Sequence, residues 1–314
     1  MLQVKDKVLI GPSSFAALDP SPMKELLESG FQVVKNPFGR KLTKSELIEL
    51  LPGVVGLIAG LEHLDKQVLS KSELKVISRC GAGMSNVDLE AAEELGIKVF
   101  STPDGPTSAV AELTLGALLS LLRMVPQMDR DLHAGRWNKK IGTQLYGKTV
   151  VIIGYGRIGC RLSKLMEPFN TRILVVDPAI LDLKEEFEVL TLQQALPQAD
   201  IVTLHASGEK KIIGEEEFGL MKPGTFLLNA ARGDLIDENA LIRSLENGRI
   251  RGAWIDTFSQ EPYSGPLTKY EQVILTPHIG SYSIECRRSM EMESVHNLVG
   301  AFKRFQEQNL LTNM

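Results

Sequence analysis

One stretch limits the possible folds of this chain more than any other: residues 149–177, TVVIIGYGRIGCRLSKLMEPFNTRILVVD. Thr149 to Ile153 is an apolar, mostly β-branched run of the kind a parallel strand buried on both faces needs. Gly154-Tyr155-Gly156-Arg157-Ile158-Gly159 follows without a spacer, then a helical pattern, then a second apolar run ending at Asp177. That order is a βαβ unit with a glycine-rich first turn. Such a turn brings backbone N–H groups and a helix N-terminus up to a diphosphate. Asp177 lies 18 residues beyond Gly159. A carboxylate there accepts hydrogen bonds from ribose hydroxyls and repels a 2′-phosphate, so the unit predicts NAD and not NADP.

The rest of the chain is compatible with a soluble globular protein. A length of 314 residues allows two domains, and 43% hydrophobic with 24% charged residues is an ordinary soluble balance. A formal net charge of −4, with no segment rich in Lys and Arg alone, argues against nucleic acid and membrane partners. Cys80, Cys160 and Cys286 are odd in number and lack metal-ligand spacing. No metal is expected, and reduced thiols fit a cytoplasmic protein. Lys5, Asp6 and Lys7 precede a short apolar run, which reads as a first strand and not a signal peptide. Ala109 to Val125 is apolar but holds Glu112 and Arg123, so it predicts a buried or interface helix.

Residues 4 to about 100 alternate Val/Ile/Leu runs (KVLIG, FQVVK, VVGLIAG, LKVISRCG, IKVFS) with amphipathic segments. Thr102-Pro103-Asp104-Gly105-Pro106 interrupts them and predicts a hinge. A second series, TVVIIG, RILVVD, FEVL, IVTLHA, TFLLNAA, RGAWIDTF and VILTPHIG, gives seven further strand candidates. The expected fold is α/β, two doubly wound parallel-sheet domains, flavodoxin-like and Rossmann, separated by a cleft. A long amphipathic helix from about Ser283 to Gln308 is expected to return to the first domain. The boundaries expected are 1–101 plus 283–314 for one domain and 102–282 for the NAD-binding domain that holds the glycine-rich unit; a substrate-binding part for the first domain is implied only by the family resemblance given below.

Ligands of open parallel sheets bind beyond the carboxyl ends of the strands, so polar residues just past those ends are candidates. Ile77 to Gly83, Asn229 to Asp234 and Thr276 to Gly280 qualify, and Glu261 lies in a loop past a fourth strand end. Each alone has an ordinary reading: a solvated Arg, a capping His, an exposed Glu, a glycine turn. Beside a dinucleotide site they fit hydride transfer to a carbonyl, which needs a proton donor, a polarising cation and N–H donors for a carboxylate.

The motifs RCGAGMSNVDLEAAEELGI, VAELTLGALL, GKTVVIIGYGRIG, FLLNAARGDLIDENAL, DTFSQEP and LTPHIGSYS run from about Leu74 to Glu291. In this order the sequence resembles the D-isomer-specific 2-hydroxyacid dehydrogenases, and within them the phosphoglycerate dehydrogenase-like enzymes. The resemblance implies Arg232, Glu261 and His278 as catalytic residues: His278 the acid in reduction and base in oxidation, Glu261 its hydrogen-bond partner, Arg232 the grip on the 2-oxo acid. It implies substrate contacts from the Ala82 and Gly83 N–H groups, with Arg232 and His278. The implied cofactor contacts are Gly154, Tyr155, Gly156, Arg157, Ile158, Gly159, Asp177, Pro178, His205, Ala206, Ala230, Arg232, Asp256, His278 and Gly280, with Asp256 on the nicotinamide carboxamide.

The expected function is NAD-dependent interconversion of a small anionic D-2-hydroxy acid and its 2-oxo acid, by a homodimer built on the helix after Ala109. Phosphoglycerate dehydrogenases place an Arg after the third-strand run, where this chain reads Gly56 to His63 with Gly60 and Glu62. Whether the substrate is of the phosphoglycerate or the hydroxypyruvate type, and so whether a phosphate is recognised, is left open by that replacement, and with the chain ending at Met314 a C-terminal regulatory domain is not expected. The alternative is an NAD(H)-sensing interaction protein on the same scaffold, resembling the C-terminal binding protein co-repressors. Formate-type oxidation is disfavoured by Glu261, where those enzymes carry Gln.

Overall fold

A computed structural model describes residues 6–180, 187–208 and 210–312. The chain divides into two compact units, Met1–Pro106 with Ser281–Met314, and Thr107–Gly280. Among the described residues no single helix is long and apolar enough to cross a membrane.

In the first unit β1 (Lys7–Ile10), β2 (Gln32–Lys35), β3 (Val54–Ala59), β4 (Val76–Arg79) and β5 (Lys98–Phe100) form a parallel sheet in the order β2-β1-β3-β4-β5. That is the flavodoxin-like order. Helices α1 (Ser21–Glu28), α2 (Lys44–Leu50), α3 (Lys66–Leu69) and α4 (Leu89–Glu94) connect the strands. The sequence reading did not single out α3 or α4; each is short and starts at an aspartate cap, Asp65 on Val68 N–H and Asp88 on Ala91 N–H. A core around Leu9, Leu57, Val68 and Ile77 fills one face of the sheet. The C-terminal helix, Ile284–Thr312, packs on β3, β4, β5 and α1.

The second unit opens with α5 (Pro106–Leu122) and α6 (Val125–His133). Its strands are β6 (Thr149–Ile153), β7 (Arg172–Val176), β8 (Glu188–Val189), β9 (Ile201–Leu204), β10 (Thr225–Asn229), β11 (Ile250–Ile255) and β12 (Val273–Leu275). Among the described residues they pair in parallel in the order β12-β11-β10-β9-β6-β7-β8. Both faces are apolar because alternate residues of one strand serve different cores: Val151 and Ile153 pack with Leu204 and Leu227, while Val150 and Ile152 pack with Leu118 and Trp254. A run apolar at every position therefore marks a strand covered on both sides. The helices that follow the strands are α7 (Arg157–Met166), α8 (Leu192–Ala195), α9 (Glu215–Leu220) and α10 (Glu238–Glu246); α11 is the C-terminal helix of the first unit.

Register aligns the carboxyl ends of this sheet. Ile153 pairs with Val176 and Leu204, Leu204 with Asn229, Asn229 with Ile255, and Ile255 with Leu275. Asp177, Gly154, His205, Ala230, Asp256 and Thr276 are therefore the first residues past one common row. The strand order reverses between β6 and β9, and such a switch point is where α/β sheets bind ligands.

Candidate active site

At the switch point the glycine turn lies against the end of β9. Gly154 has φ +88°, and a Cβ there would meet the Ala206 N and the His205 carbonyl carbon, so only glycine fits. Gly159 packs on the strand, with Gly154 O 2.5 Å from where its Cβ would be. Gly156 faces open space: nothing lies within 4 Å of a Cβ built there. It begins α7 with no side-chain capping bond, so the first N–H groups of that helix suit an anion. Tyr155, in contrast, turns inward; its hydroxyl lies 2.7 Å from Ser163 Oγ. The cradle and the bare helix start fit a dinucleotide diphosphate.

Asp177 ties the turn to β7. One carboxylate oxygen accepts from Tyr155 N–H at 2.8 Å and the other from Ala179 N–H at 2.9 Å. Gly156, Arg157 and Pro178 are exposed, and Ile158 is half-buried around it. His205 places Nε2 2.9 Å from Thr203 Oγ1, and its buried Nδ1 has no partner among the described residues. Burial pushes its pKa down to about 4, so the ring is neutral.

The catalytic candidates come from the ends of β10, β11 and β12. Asn229, fully buried at the end of β10, accepts from Ala231 N–H at 3.0 Å and donates to Arg232 O at 2.8 Å, which shapes the loop carrying Arg232. The Arg232 guanidinium donates to Ala231 O at 2.6 Å. Gly233 then passes so close to Phe258 and Ser259 that a Cβ would fall on their backbone. The Arg232 loop and the Glu261 loop thus touch through main chain.

Asp256, also buried, organises the third segment. Its carboxylate accepts from Thr276 Oγ1 at 2.6 Å, Ile279 N–H at 2.9 Å and Gly280 N–H at 2.9 Å. Trp254 Nε1 donates to Thr276 Oγ1 at 2.9 Å, and the Asp256 carbonyl accepts His278 N–H at 2.8 Å. This scaffold holds His278 at φ +54°, a left-handed conformation that non-glycine residues seldom adopt. His278 Nδ1 lies 2.9 and 3.1 Å from the two Glu261 oxygens. A carboxylate only accepts, so Nδ1 carries the proton and Nε2 is left for a reacting oxygen. Their side chains are 35% and 31% exposed, within reach of a ligand.

Arg232, Glu261 and His278 are thus set on three neighbouring strand ends of one unit, and Glu261 and His278 are in direct contact. Asn229, Gly233, Thr276, Trp254 and Phe258 form the support; Asn229, Gly233 and Thr276 lie in the candidate segments past the strand ends but had no role there, and Trp254 and Phe258 carried no sign in the sequence. Ala82 and Gly83 belong to the other unit, past the end of β4, where Gly81 (φ +140°) donates to Thr102 Oγ1 at 2.7 Å. At the end of β3 the Glu62 carboxylate is buried, accepts Gly60 N–H at 2.6 Å and has its pKa raised by burial. The Asn86 side chain donates to Glu62 O at 2.6 Å and to Gly60 O at 3.2 Å, fixing that loop.

The profile of the D-isomer specific 2-hydroxyacid dehydrogenase NAD binding domain matches residues 115–280. The D-3-phosphoglycerate dehydrogenase of Homo sapiens is 37% identical over 292 residues, 90% of this chain and 54% of the relative. The chain therefore spans about half the length of that relative. The glyoxylate reductase of Pyrococcus furiosus is 35% identical over 306 residues, 92% of this chain and 91% of the relative. Among solved structures, a Thermus thermophilus protein superposes with a TM-score of 0.86 at 33% identity, covering 95% of this chain and 97% of that one.

Proposed function

The chain belongs to the D-isomer-specific 2-hydroxyacid dehydrogenase family, and from that premise we propose that it reduces a small 2-oxo acid with NADH, or oxidises the corresponding D-2-hydroxy acid with NAD. The observation that carries this reading is the Glu261–His278 pair. Glu261 fixes the ring through Nδ1, and Nε2 of the imidazolium donates a proton to the forming alkoxide in reduction and withdraws it in oxidation. A bound nicotinamide supplies or takes up the hydride. Arg232 supplies a permanent cation for the carbonyl and carboxylate of the substrate. Gly154 to Gly159, with the α7 N-terminus, hold the diphosphate, and Asp177 favours NAD over NADP by repelling a 2′-phosphate. His205, Ala230 and Asp256, on the common strand-end row, border the cofactor together with Ala206 and Gly280.

The substrate class we favour is an unphosphorylated 2-oxo acid of the glyoxylate or hydroxypyruvate kind. Its support is the end of β3, where Ala59, Gly60 and Leu61 carry no cation and Glu62 holds a buried carboxylate. A phosphate placed there would meet no positive charge from that loop. The Pyrococcus furiosus relative named a glyoxylate reductase fits the same reading.

A homodimer is also part of the proposal. The stretch after α5 exposes Leu132 at 58%, Trp137 at 77% and Ile141 at 90%, an apolar surface that a second copy would cover.

The deciding experiment follows nicotinamide absorbance with NADH and then NADPH against glyoxylate, hydroxypyruvate, pyruvate and 3-phosphohydroxypyruvate. Turnover with the first two and little with the phosphorylated acid is expected. A flat panel sinks the enzymatic reading, and a preference for 3-phosphohydroxypyruvate overturns the substrate class.

A further inference from the structure

The loop that carries Glu261 is closed by an aromatic pair. Phe258 and Tyr263 stack with ring centroids 4.1 Å apart and planes 19° from parallel, bracketing Glu261 three residues before it and two after. Phe258 does three things at once. Its N–H donates to Glu261 Oε1 at 3.1 Å, its backbone is the surface on which Gly233 rests beside Arg232, and its ring meets Tyr263. Tyr263 is itself anchored: its hydroxyl accepts Leu267 N–H at 3.1 Å. A Cβ at Gly265 would press on the Tyr263 ring, its nearest atoms 2.5 Å away, so the glycine makes room for the stack.

Glu261 sits in an exposed loop outside any helix or strand, and a glutamate has three rotatable side-chain bonds to order. Yet His278 needs the carboxylate at one place, within 3.1 Å of Nδ1 by both oxygens. We propose that Phe258 and Tyr263 are positioning residues: their stack fixes the loop so that the Phe258 N–H and the His278 ring together hold the Glu261 carboxylate in its working position. Neither ring transfers a proton. Their contribution is to remove loop conformations in which Glu261 faces solvent and His278 turns freely about its χ angles. The stack, and not the tyrosine hydroxyl, is the working part, because the ring contact reaches Phe258 while the hydroxyl bonds the main chain at Leu267.

The inference rests on the acid–base role given to His278, so its test includes a readout independent of turnover. That readout is the low-field imidazole N–H proton resonance of His278, assigned by its absence in His278→Ala and dependent on the Glu261 hydrogen bond. In the full chain, Tyr263→Leu is expected to lose this resonance to solvent exchange and to lower kcat roughly tenfold, with KM for the 2-oxo acid and the affinity for NADH nearly unchanged. Tyr263→Phe, which keeps the stack, is expected to retain both resonance and kcat. Phe258→Leu, which breaks the stack from the other side, carries the same test should Tyr263→Leu fail to fold. A folded Tyr263→Leu or Phe258→Leu protein with the resonance and kcat of the original chain overturns the proposal, as does equal loss in Tyr263→Phe. An original chain that is inactive on every 2-oxo acid overturns the functional reading instead, and the resonance comparison then decides the positioning role alone.

Discussion

Gly233 rests on the main chain of Phe258 with no room for a side chain between them. This contact joins the loop of Arg232 to the loop of Glu261, so two groups from different strands are held by backbone packing and not by a bond between their side chains. Gly233→Ala should separate the loops by roughly the width of a methyl group. A displacement of that size costs about 10²-fold in turnover when it misplaces reacting groups. Steady-state kinetics should show that loss with NADH affinity kept; full activity in a folded variant would contradict the contact.

His278→Ala should lower kcat by on the order of 10²-fold or more, because it removes the proton donor. Arg232→Ala should chiefly raise KM for the 2-oxo acid. Fluorescence titration should show that both variants still bind NADH, with an affinity lowered far less than turnover or substrate handling, since each side chain is only one of many cofactor contacts. Undiminished turnover in His278→Ala would refute the acid–base assignment.

Asp177→Ala should narrow the preference for NADH over NADPH, since it removes the carboxylate that repels a 2′-phosphate. It also deletes the bond that holds Tyr155 N–H, so a modest fall in NADH affinity should accompany the change. An unaltered ratio of kcat/KM for the two cofactors would count against the ribose role.

His205 makes acid stability testable. Its pKa is lowered from 6.5 to about 4 by burial. Below pH 6.5 the unfolded chain therefore takes up a proton that the folded one refuses until about pH 4. Stability from this group is complete above pH 6.5 and is lost as pH falls toward 4. At pH 5 the loss should be about 2 kcal/mol. Urea unfolding of His205→Asn should show a flatter dependence between pH 7 and pH 5 than the original chain, and equal slopes would exclude the buried neutral ring.

The proposed dimer predicts a mass near twice 34.6 kDa by light scattering. Replacing Trp137 and Ile141 together with Asp places charge in the apolar surface and should shift the protein to the single-chain mass. An original chain already at the single-chain mass would remove the dimer from the proposal.

Local pattern was enough for the βαβ unit, for the strand runs on both sheets and for the identity of the polar residues after them. Those signals are short-range. A strand covered on both faces must be apolar at every position, and a turn pressed against a neighbouring strand end must lack Cβ atoms at its points of contact, so both leave their mark within a few residues. The helices α3 and α4 left little mark because each has only one or two turns. What the sequence alone determined was therefore the elements and the chemistry available at their ends. What only the tertiary structure decided was which ends become neighbours. The sheet order β12-β11-β10-β9-β6-β7-β8 and the pairing of Asn229 with Ile255 and of Ile255 with Leu275 bring Arg232, Glu261 and His278 onto adjacent strand ends. That order is a property of crossovers many residues long, and no local periodicity encodes it. The Asp256 network that bends His278 to φ +54° is likewise built from residues up to 24 positions apart. It becomes visible only once β11 and β12 lie side by side.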